Sequence, residues 1–264
     1  MWRYPVKSML GERLDEARLD AAGVAFDRGL AVIDLETGLV ATAKHPRLWR
    51  GLLQYSATVD DDRVLVTSPA GWTRRALAPG VDQLLSCALS RPVRVSSERP
   101  VAATVERPDP LDVLDKGVEA VVSAPTLEIG QGTPGHNFVD YAPVHLITSA
   151  TLDAIGAEQV RYRPNLVVET PPGTAPFTEN TWVGRELHFA GDAAPVLRVS
   201  LPTPRCAVPT LEHGPLPRAP HAVRTLMRAN RIDVPGFGVL PCAGGYAEVL
   251  RGGVIHVGDE LILR

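Results

Sequence analysis

The sequence predicts a mainly β (α+β) protein, a barrel or sandwich carrying a few short helices. Apolar runs of strand length recur along the whole chain, turn signals bearing Gly, Pro and Asp separate them, and segments with helical spacing are few. Aromatic residues make up only 5% of the 264 residues, so the core must rest on Val, Leu, Ile and Ala.

Residues 1–80 read as β-rich. The apolar run 24–34 ends at the turn signal Glu36-Thr37-Gly38, and Leu39-Val40-Ala41-Thr42 is expected as its partner strand. Arg63–Thr67 and residues 71–75 flank Ser68-Pro69-Ala70 as a second hairpin. Residues 80–89 place Val81, Leu84, Leu85, Ala88 and Leu89 on one helical face, with Cys87 expected to pack beside it. The stretch 99–143 is rich in Pro, Gly and Asp and reads as an extended connection rather than core. Within it, Gly130-Gln-Gly132-Thr-Pro-Gly135 matches the dinucleotide fingerprint in form only. Pro134 leads into a loop- or strand-like segment where that fingerprint opens a helix.

From Val144 the pattern firms. Val144-His-Leu-Ile147 is a strand, and Thr148 or Ser149 is a natural N-cap for a short helix over 150–155 that Gly156 closes. Strands follow at 166–169, 186–189, 196–201 and 245–250, a helix at 223–230, and an alternating segment at 254–263 that turns at Gly258-Asp259.

Hydrophobic residues at 45% and charged residues at 22% are ordinary for a soluble globular protein. A net charge of −3 gives no reason to expect nucleic acid as a partner, so any anion site must be built locally. No run approaches the ~20 apolar residues that span a bilayer. The start, Met1-Trp2-Arg3-Tyr4-Pro5, lacks the apolar stretch of a signal peptide. No membrane association and a cytoplasmic location are therefore expected, and the oligomeric state stays open.

Cys87, Cys206 and Cys242 are too few and scattered for a disulfide framework or a four-thiolate iron–sulfur cluster. The seven histidines show no zinc spacing, and there is neither a nucleophile elbow nor a P-loop. Of 27 basic residues only Lys7, Lys44 and Lys116 are lysines. A chain that otherwise uses Arg keeps Lys either on a solvated surface or where a compact point charge faces a phosphate.

Several stretches in order resemble the MOSC family, the C-terminal domain type of molybdenum cofactor sulfurases. Tyr4-Pro5-Val6-Lys7-Ser8, Asp27-Arg28 and Ala43-Lys44-His45-Pro46-Arg47-Leu48 resemble that family's N-terminal β-barrel domain. Val144 to Leu152, Arg161-Tyr-Arg-Pro-Asn-Leu-Val-Val168, Trp182-Val-Gly184, Pro204-Arg205-Cys206, Pro209-Thr210 and Val257-Gly258-Asp259 follow in the family's sequence. The resemblance implies an N-terminal β-barrel domain over 1–98, a connecting segment over 99–143 and a MOSC β-barrel domain over 144–264. It is similar in type to the amidoxime-reducing molybdenum enzymes, which act on N-hydroxylated compounds. The sequence departs from those reductases where Phe237-Gly238 is followed by Val239-Leu240-Pro241 rather than by a Tyr, and where Pro204 precedes Arg205-Cys206.

The same resemblance implies a molybdopterin-type molybdenum cofactor with Cys206 as metal ligand and catalytic residue. Lys7, Ser8 and Arg28 from one domain, and Thr148, Ser149, Arg163, Asn165 and Arg205 from the other, are the implied cofactor-binding residues. The residue types suit that chemistry. Lysine and arginine answer a phosphate, hydroxyls and a helix N-terminus supply donors, and Asn offers both donor and acceptor to a pterin edge. A thiolate is a soft ligand, and Arg205 beside it favours the charged sulfur.

Three readings follow. The first is a molybdenum-dependent oxidoreductase that transfers oxygen atoms to or from a small substrate, N-hydroxylated compounds among the candidates. Because no iron–sulfur or flavin motif is present, a separate electron-donor protein is implied. The second is a non-catalytic cofactor carrier or a sulfur-relay protein in which Cys206 carries a persulfide. The third is a barrel that binds another anionic small molecule or a protein.

Overall fold

The computed structural model describes residues 1–191 and 194–264. Its largest element is a curled, half-barrel sheet of seven strands. Across it run Leu166–Val168, Val144–Thr148, Gly238–Arg251, Val196–Pro204, Glu186–Phe189 and Leu261–Leu263, with Arg231–Val234 alongside Gly238–Arg251. All pairs are antiparallel except Val144–Thr148 with Leu166–Val168, which the short helix Ser149–Ile155 connects. Val144, Leu146, Leu187, Leu197, Val199 and Ala247 meet on the inner face. Each fully buried Val or Leu there contributes about 1.5–3 kcal/mol of transfer free energy.

The curl has a local cause. The strand Val196–Pro204 carries three register shifts against its partner, and Pro202 and Pro204 cannot donate to the ladder. The strand therefore bends and stops, and Arg205-Cys206 leaves the sheet at its end.

The N-terminal part has its own core, with Val6, Leu30, Val32, Leu52, Ala57, Val66, Leu85 and Val95 among its members. It holds the pair Ala31–Asp34 with Val93–Ser96, the three-stranded sheet Ser56–Asp60, Arg63–Thr67 and Thr73–Arg75, and the helix Val81–Leu89. The two parts interlock. Glu16–Asp20 pairs with Gly253–His256 near the C-terminus, and Ala17, Leu19 and Val24 belong to the core of the large sheet.

Two expectations are corrected and two are made more specific. Leu39–Thr42 does lie antiparallel beside Ala31–Asp34, with Ala41 N–H donating to Val32, Asp34 N–H donating to Leu39 and Ile33 bridging Val40, while the regular ladder of Ala31–Asp34 goes to Val93–Ser96. After Ala41 the chain turns away, His45 N–H donating to Thr42, and so reaches the cleft described below. The 254–263 segment turns at Val257-Gly258, and its two strands, Gly253–His256 and Leu261–Leu263, join different sheets. Cys87 is exposed, as are Leu84 and Ala88, because only Val81 and Leu85 of that helix are buried. Finally, 99–143 is more than a connection. Ala103, Val105, Ile129 and Phe138 form a core with Ala31, Ile33 and Val40, and the segment contains the pair Thr104–Glu106 with Thr126–Glu128 and the helix Pro110–Lys116. Among the described residues no helix is long and apolar enough to cross a membrane.

Candidate functional site

The interlock leaves a cleft of about 1080 Å3, open solvent at its mouth included, to which all three stretches contribute. Lys7, Ser8, Arg28 and Lys44 come from the N-terminal part, Arg107, Asp140 and Tyr141 from 99–143, and His145, Arg163, Asn165, Arg205, Cys206 and Tyr246 from the large sheet and its loops. Six basic side chains line it against two carboxylates, Glu128 and Asp140. A chain of net negative charge thus builds a locally positive cavity.

One wall is organised around Tyr4, which is fully buried. Its ring lies 4.6 Å from the Arg28 guanidinium carbon and 4.3 Å from that of Arg163, so its π face answers both charges. Asp27, 2% exposed, accepts from Tyr4 N–H at 2.8 Å and from Arg28 Nη1 at 2.5 Å. Arg28 Nη2 then donates to the Arg163 carbonyl at 2.9 Å. Burial opposes the charge on Arg28, but Asp27 more than compensates and holds its pKa above the ordinary value. Arg163 has no such partner. Burial, and then Arg28 beside it, pull its pKa down to about 10, so it stays charged at neutral pH. Its Nη1 donates to the Met9 carbonyl at 2.6 Å, and its Nη2 is buried without a hydrogen-bond partner.

Ser8, Arg28 and Arg163 all hold left-handed backbone, with φ of 65°, 47° and 54°. For non-glycine residues each such conformation costs of order 1–3 kcal/mol and persists only when the surroundings enforce it. Hydrogen bonds enforce it here. Arg28 N–H donates to Tyr4, Ala43 N–H donates to Ser8 Oγ, and Arg163 N–H closes the 3-10 turn Gln159–Arg161.

A second cluster of charge is the lysine end of the cleft. Lys7 and Lys44, 5% and 6% exposed, both donate to Asp140 Oδ1, at 2.6 and 2.8 Å. Lys7 also donates to the Phe138 carbonyl at 2.7 Å. Burial lowers Lys7 to about 8, against the opposing pull of Asp140. Burial pushes Asp140 up, but Lys44 and Lys7 outweigh it and hold the carboxyl well below its ordinary range. The third lysine, Lys116, sits on a helix surface with Asp112.

Cys206 is 8% exposed, packed on Ala43, Leu53, Val208 and Leu211 yet lining the cleft. Arg205 beside it is 8% exposed. It donates through Nη2 to the Tyr162 carbonyl at 2.8 Å and through Nη1 to His145 Nε2 at 3.4 Å, and its Nε is buried without a partner. Burial, then Arg205 and Arg28, hold His145 well below its ordinary pKa, so the imidazole is neutral and can accept from Arg205. His145 reaches this position because Gly244 faces it. A Cβ there would lie 2.3 Å from the Leu146 carbonyl oxygen and 2.5 Å from His145 Nε2, and Gly244 has φ of +84°.

Of the residues nominated from the sequence, Lys7, Ser8, Arg28, Arg163, Asn165, Arg205 and Cys206 line this one cleft. Asn165 Oδ1 accepts from His145 N–H at 3.1 Å, so much of its capacity goes to holding the wall. Thr148 and Ser149 do not line it. Thr148 caps the helix Ser149–Ile155, and its hydroxyl donates to buried Glu179 at 2.8 Å, while Ser149 pairs with Thr170. A hydroxyl engaged in a buried cap is not available to a ligand. Lys44, Asp140, Tyr4, His145, Tyr141 and Tyr246 were not nominated. For Lys44 the scarcity of lysine was the available signal. Asp140 carried none, since it lies 133 residues from Lys7 in a stretch without periodicity.

Among the described residues no group of three or more His, Cys, Asp or Glu could hold a metal ion. A metal in this cleft would have to bring most of its own ligands.

Residues 1–83 match the family described as MOSC N-terminal beta barrel domain, and residues 133–262 match the MOSC domain. Mitochondrial amidoxime-reducing component 1 of Mus musculus is 24% identical over 289 aligned residues, covering 100% of this chain and 81% of that protein. Among solved structures, the YuaD protein from Bacillus subtilis is 10% identical, with a TM-score of 0.44, over 100% of this chain and 92% of that one. YiiM from Geobacillus stearothermophilus is 17% identical, with a TM-score of 0.33, over 65% of this chain and 67% of its own. The chain belongs to the MOSC domain family and carries that family's N-terminal β-barrel domain ahead of the MOSC domain itself.

Proposed function

We propose that the cleft binds a molybdopterin-type molybdenum cofactor with Cys206 as the protein's thiolate ligand. On this reading the chain is an oxidoreductase working by oxygen-atom transfer on a small substrate. N-hydroxylated compounds are the substrate class, in keeping with the name of the murine relative. Electrons come from a separate redox protein, and the cytoplasm is the expected compartment.

The observation that carries this reading is the meeting of Cys206 with Lys7, Arg28, Arg163 and Arg205 in one cleft, drawn from both ends of the chain. The donor set fits a phosphate-bearing, sulfur-rich group. Among the described residues two buried arginine nitrogens, Arg163 Nη2 and Arg205 Nε, have no acceptor, and leaving such groups unpaired costs about 1–3 kcal/mol each. A metal that arrives with dithiolene sulfurs needs only one further soft ligand, which a single cysteine supplies.

Bound, the cofactor would supply two-electron oxygen-atom transfer; the remaining tasks fall to the chain. Arg28, Arg163 and Arg205 would neutralise and orient the anionic group, with Lys7 and Ser8 beside them. Asn165, its amide engaged with His145 N–H and the Trp2 carbonyl, would brace the wall behind the pterin edge. Neutral His145 fixes Arg205 without adding charge near the sulfur. Tyr141, whose ring meets those of Phe237 and Tyr246, would with them exclude water from one side.

Metal and pterin analysis of wild type and Cys206→Ser, produced in a host that makes the cofactor, tests this. Molybdenum and pterin should co-purify with wild type, and the variant should keep its fold while losing metal and turnover of N-hydroxylated compounds. Wild type without molybdenum, or a fully active variant, overturns the reading. Bound cofactor with no turnover by wild type would make the chain a carrier instead.

A further inference from the structure

We propose that Asp140 is a built-in counter-ion that competes with the ligand's anionic group for Lys7 and Lys44, and so sets how tightly that end of the cleft holds a phosphate. This deepens the reading above and rests on its placing Lys7 beside the anionic group of the ligand.

Two of the three lysines in the chain are buried at this end, and both donate to the same oxygen of Asp140. The other carboxylate oxygen takes no hydrogen bond from the described residues, and the Asp140 side chain is 38% accessible from the cleft. Among the described residues Lys44 Nζ has Asp140 as its one polar partner, and Lys7 Nζ has one more, the Phe138 carbonyl. An ammonium group has three N–H donors, so both lysines retain capacity.

The backbone around Asp140 is pinned independently of its carboxylate. Phe138 N–H donates to Arg28, and the Asp140 and Tyr141 carbonyls accept from Gly130 and Gly132. The carboxylate can therefore leave the lysines by a change of side-chain rotamer, without moving the segment. A phosphate seated on Lys7 and Lys44 would sit beside a like charge while Asp140 stays in place. That repulsion, or the work of turning Asp140 out, weakens binding. In return, the two buried ammonium groups are never left without an anion when the cleft is empty, which would be the costlier state.

The test is a titration of the full chain with inorganic phosphate, comparing wild type with Asp140→Asn. Asn keeps the shape and one acceptor for the lysines but removes the charge. The variant should bind phosphate about tenfold more tightly or better. Adding Lys44→Gln to Asp140→Asn should abolish the gain. Equal or weaker binding by folded Asp140→Asn, or no binding by either protein, overturns the proposal. Should the variant not fold, the wild type decides. A phosphate-bound structure with the carboxylate turned away from both Nζ atoms supports displacement. A carboxylate still seated on both lysines, or no phosphate between them, overturns it. Molybdenum content bears on the cofactor reading alone, and the isotherms on this one alone.

Discussion

Arg28 donates through Nη2 to the backbone carbonyl of Arg163 at 2.9 Å, joining residues 135 positions apart, while both guanidinium groups lie over the ring of Tyr4. Two like charges share one buried wall because Asp27 balances the first and the tyrosine face attends to both. The cleft thus holds positive charge in place before any ligand arrives. That preorganisation removes part of the ordering cost of binding.

Tyr4 earns its position through its ring and not its hydroxyl, which is buried without a hydrogen-bond partner. Tyr4→Phe removes an unsatisfied polar group and keeps the stacking, so it should leave stability unchanged or raise it by up to about 1 kcal/mol. Tyr4→Leu loses the π face beneath two guanidinium groups and should cost about 2–4 kcal/mol. Thermal unfolding of the two variants checks the contrast, which a hydroxyl-centred role for Tyr4 would reverse.

Gly244 admits His145 to the wall behind Arg205. Gly244→Ala sets a Cβ against the Leu146 carbonyl and the imidazole at a left-handed φ of +84°. Strain and overpacking together predict a loss of about 2–4 kcal/mol. The same variant should retain less molybdenum and pterin, because Arg205 loses the acceptor that orients it. Denaturant unfolding and metal and pterin analysis read the two effects separately. Unchanged values in both would show that the wall yields freely.

Legibility in the sequence divides along a physical line. Val144–Thr148, Glu186–Phe189 and the helix His221–Ala229 are marked by local periodicity, and Arg205-Cys206 by its place after a proline-broken strand. Lys7, Arg28 and Arg163 stand in short family motifs, so their residue types could be read in place. Thr148 is legible as a cap, which its hydroxyl bond to Thr151 N–H bears out, whereas the ligand role that the family resemblance implies for it has no local signal of its own. Asp140 and the pairing of Ala31–Asp34 with Val93–Ser96 depend on contacts far apart in sequence. No local pattern encodes which remote partner wins.

The lysine end gives stability a characteristic pH dependence. Asp140 is held below its ordinary pKa, so its contribution is complete above the unfolded carboxylate value of about 4 and is lost as pH falls through the folded value. Lys7 has the opposite arrangement for a base. Its folded pKa is lowered to about 8 while the unfolded one stays near 10.4, so between these values the unfolded chain binds the extra proton. Stability should then rise with pH across that window, by at most about 1.4 kcal/mol per unit from this one group. The difference between wild type and Lys7→Gln, measured by urea unfolding from pH 7 to 10.5, should climb accordingly. A flat or falling difference would remove Lys7 from the buried pair.

The three thiols should separate by reactivity. Cys87 is exposed on the helix Val81–Leu89, Cys206 lines the cleft at 8% exposure, and Cys242 is fully buried in the strand Gly238–Arg251. Cys242 donates to the Leu240 carbonyl, and burial pushes its thiol up to about 12, so at pH 8 only about one part in ten thousand is thiolate. Iodoacetamide at pH 8 should label Cys87 first, Cys206 more slowly through the cleft, and Cys242 only when the chain unfolds. Mass spectrometry of quenched time points gives the order. Labelling of Cys242 ahead of Cys206 would mean that the cleft does not reach the sulfur on which the proposed metal site depends.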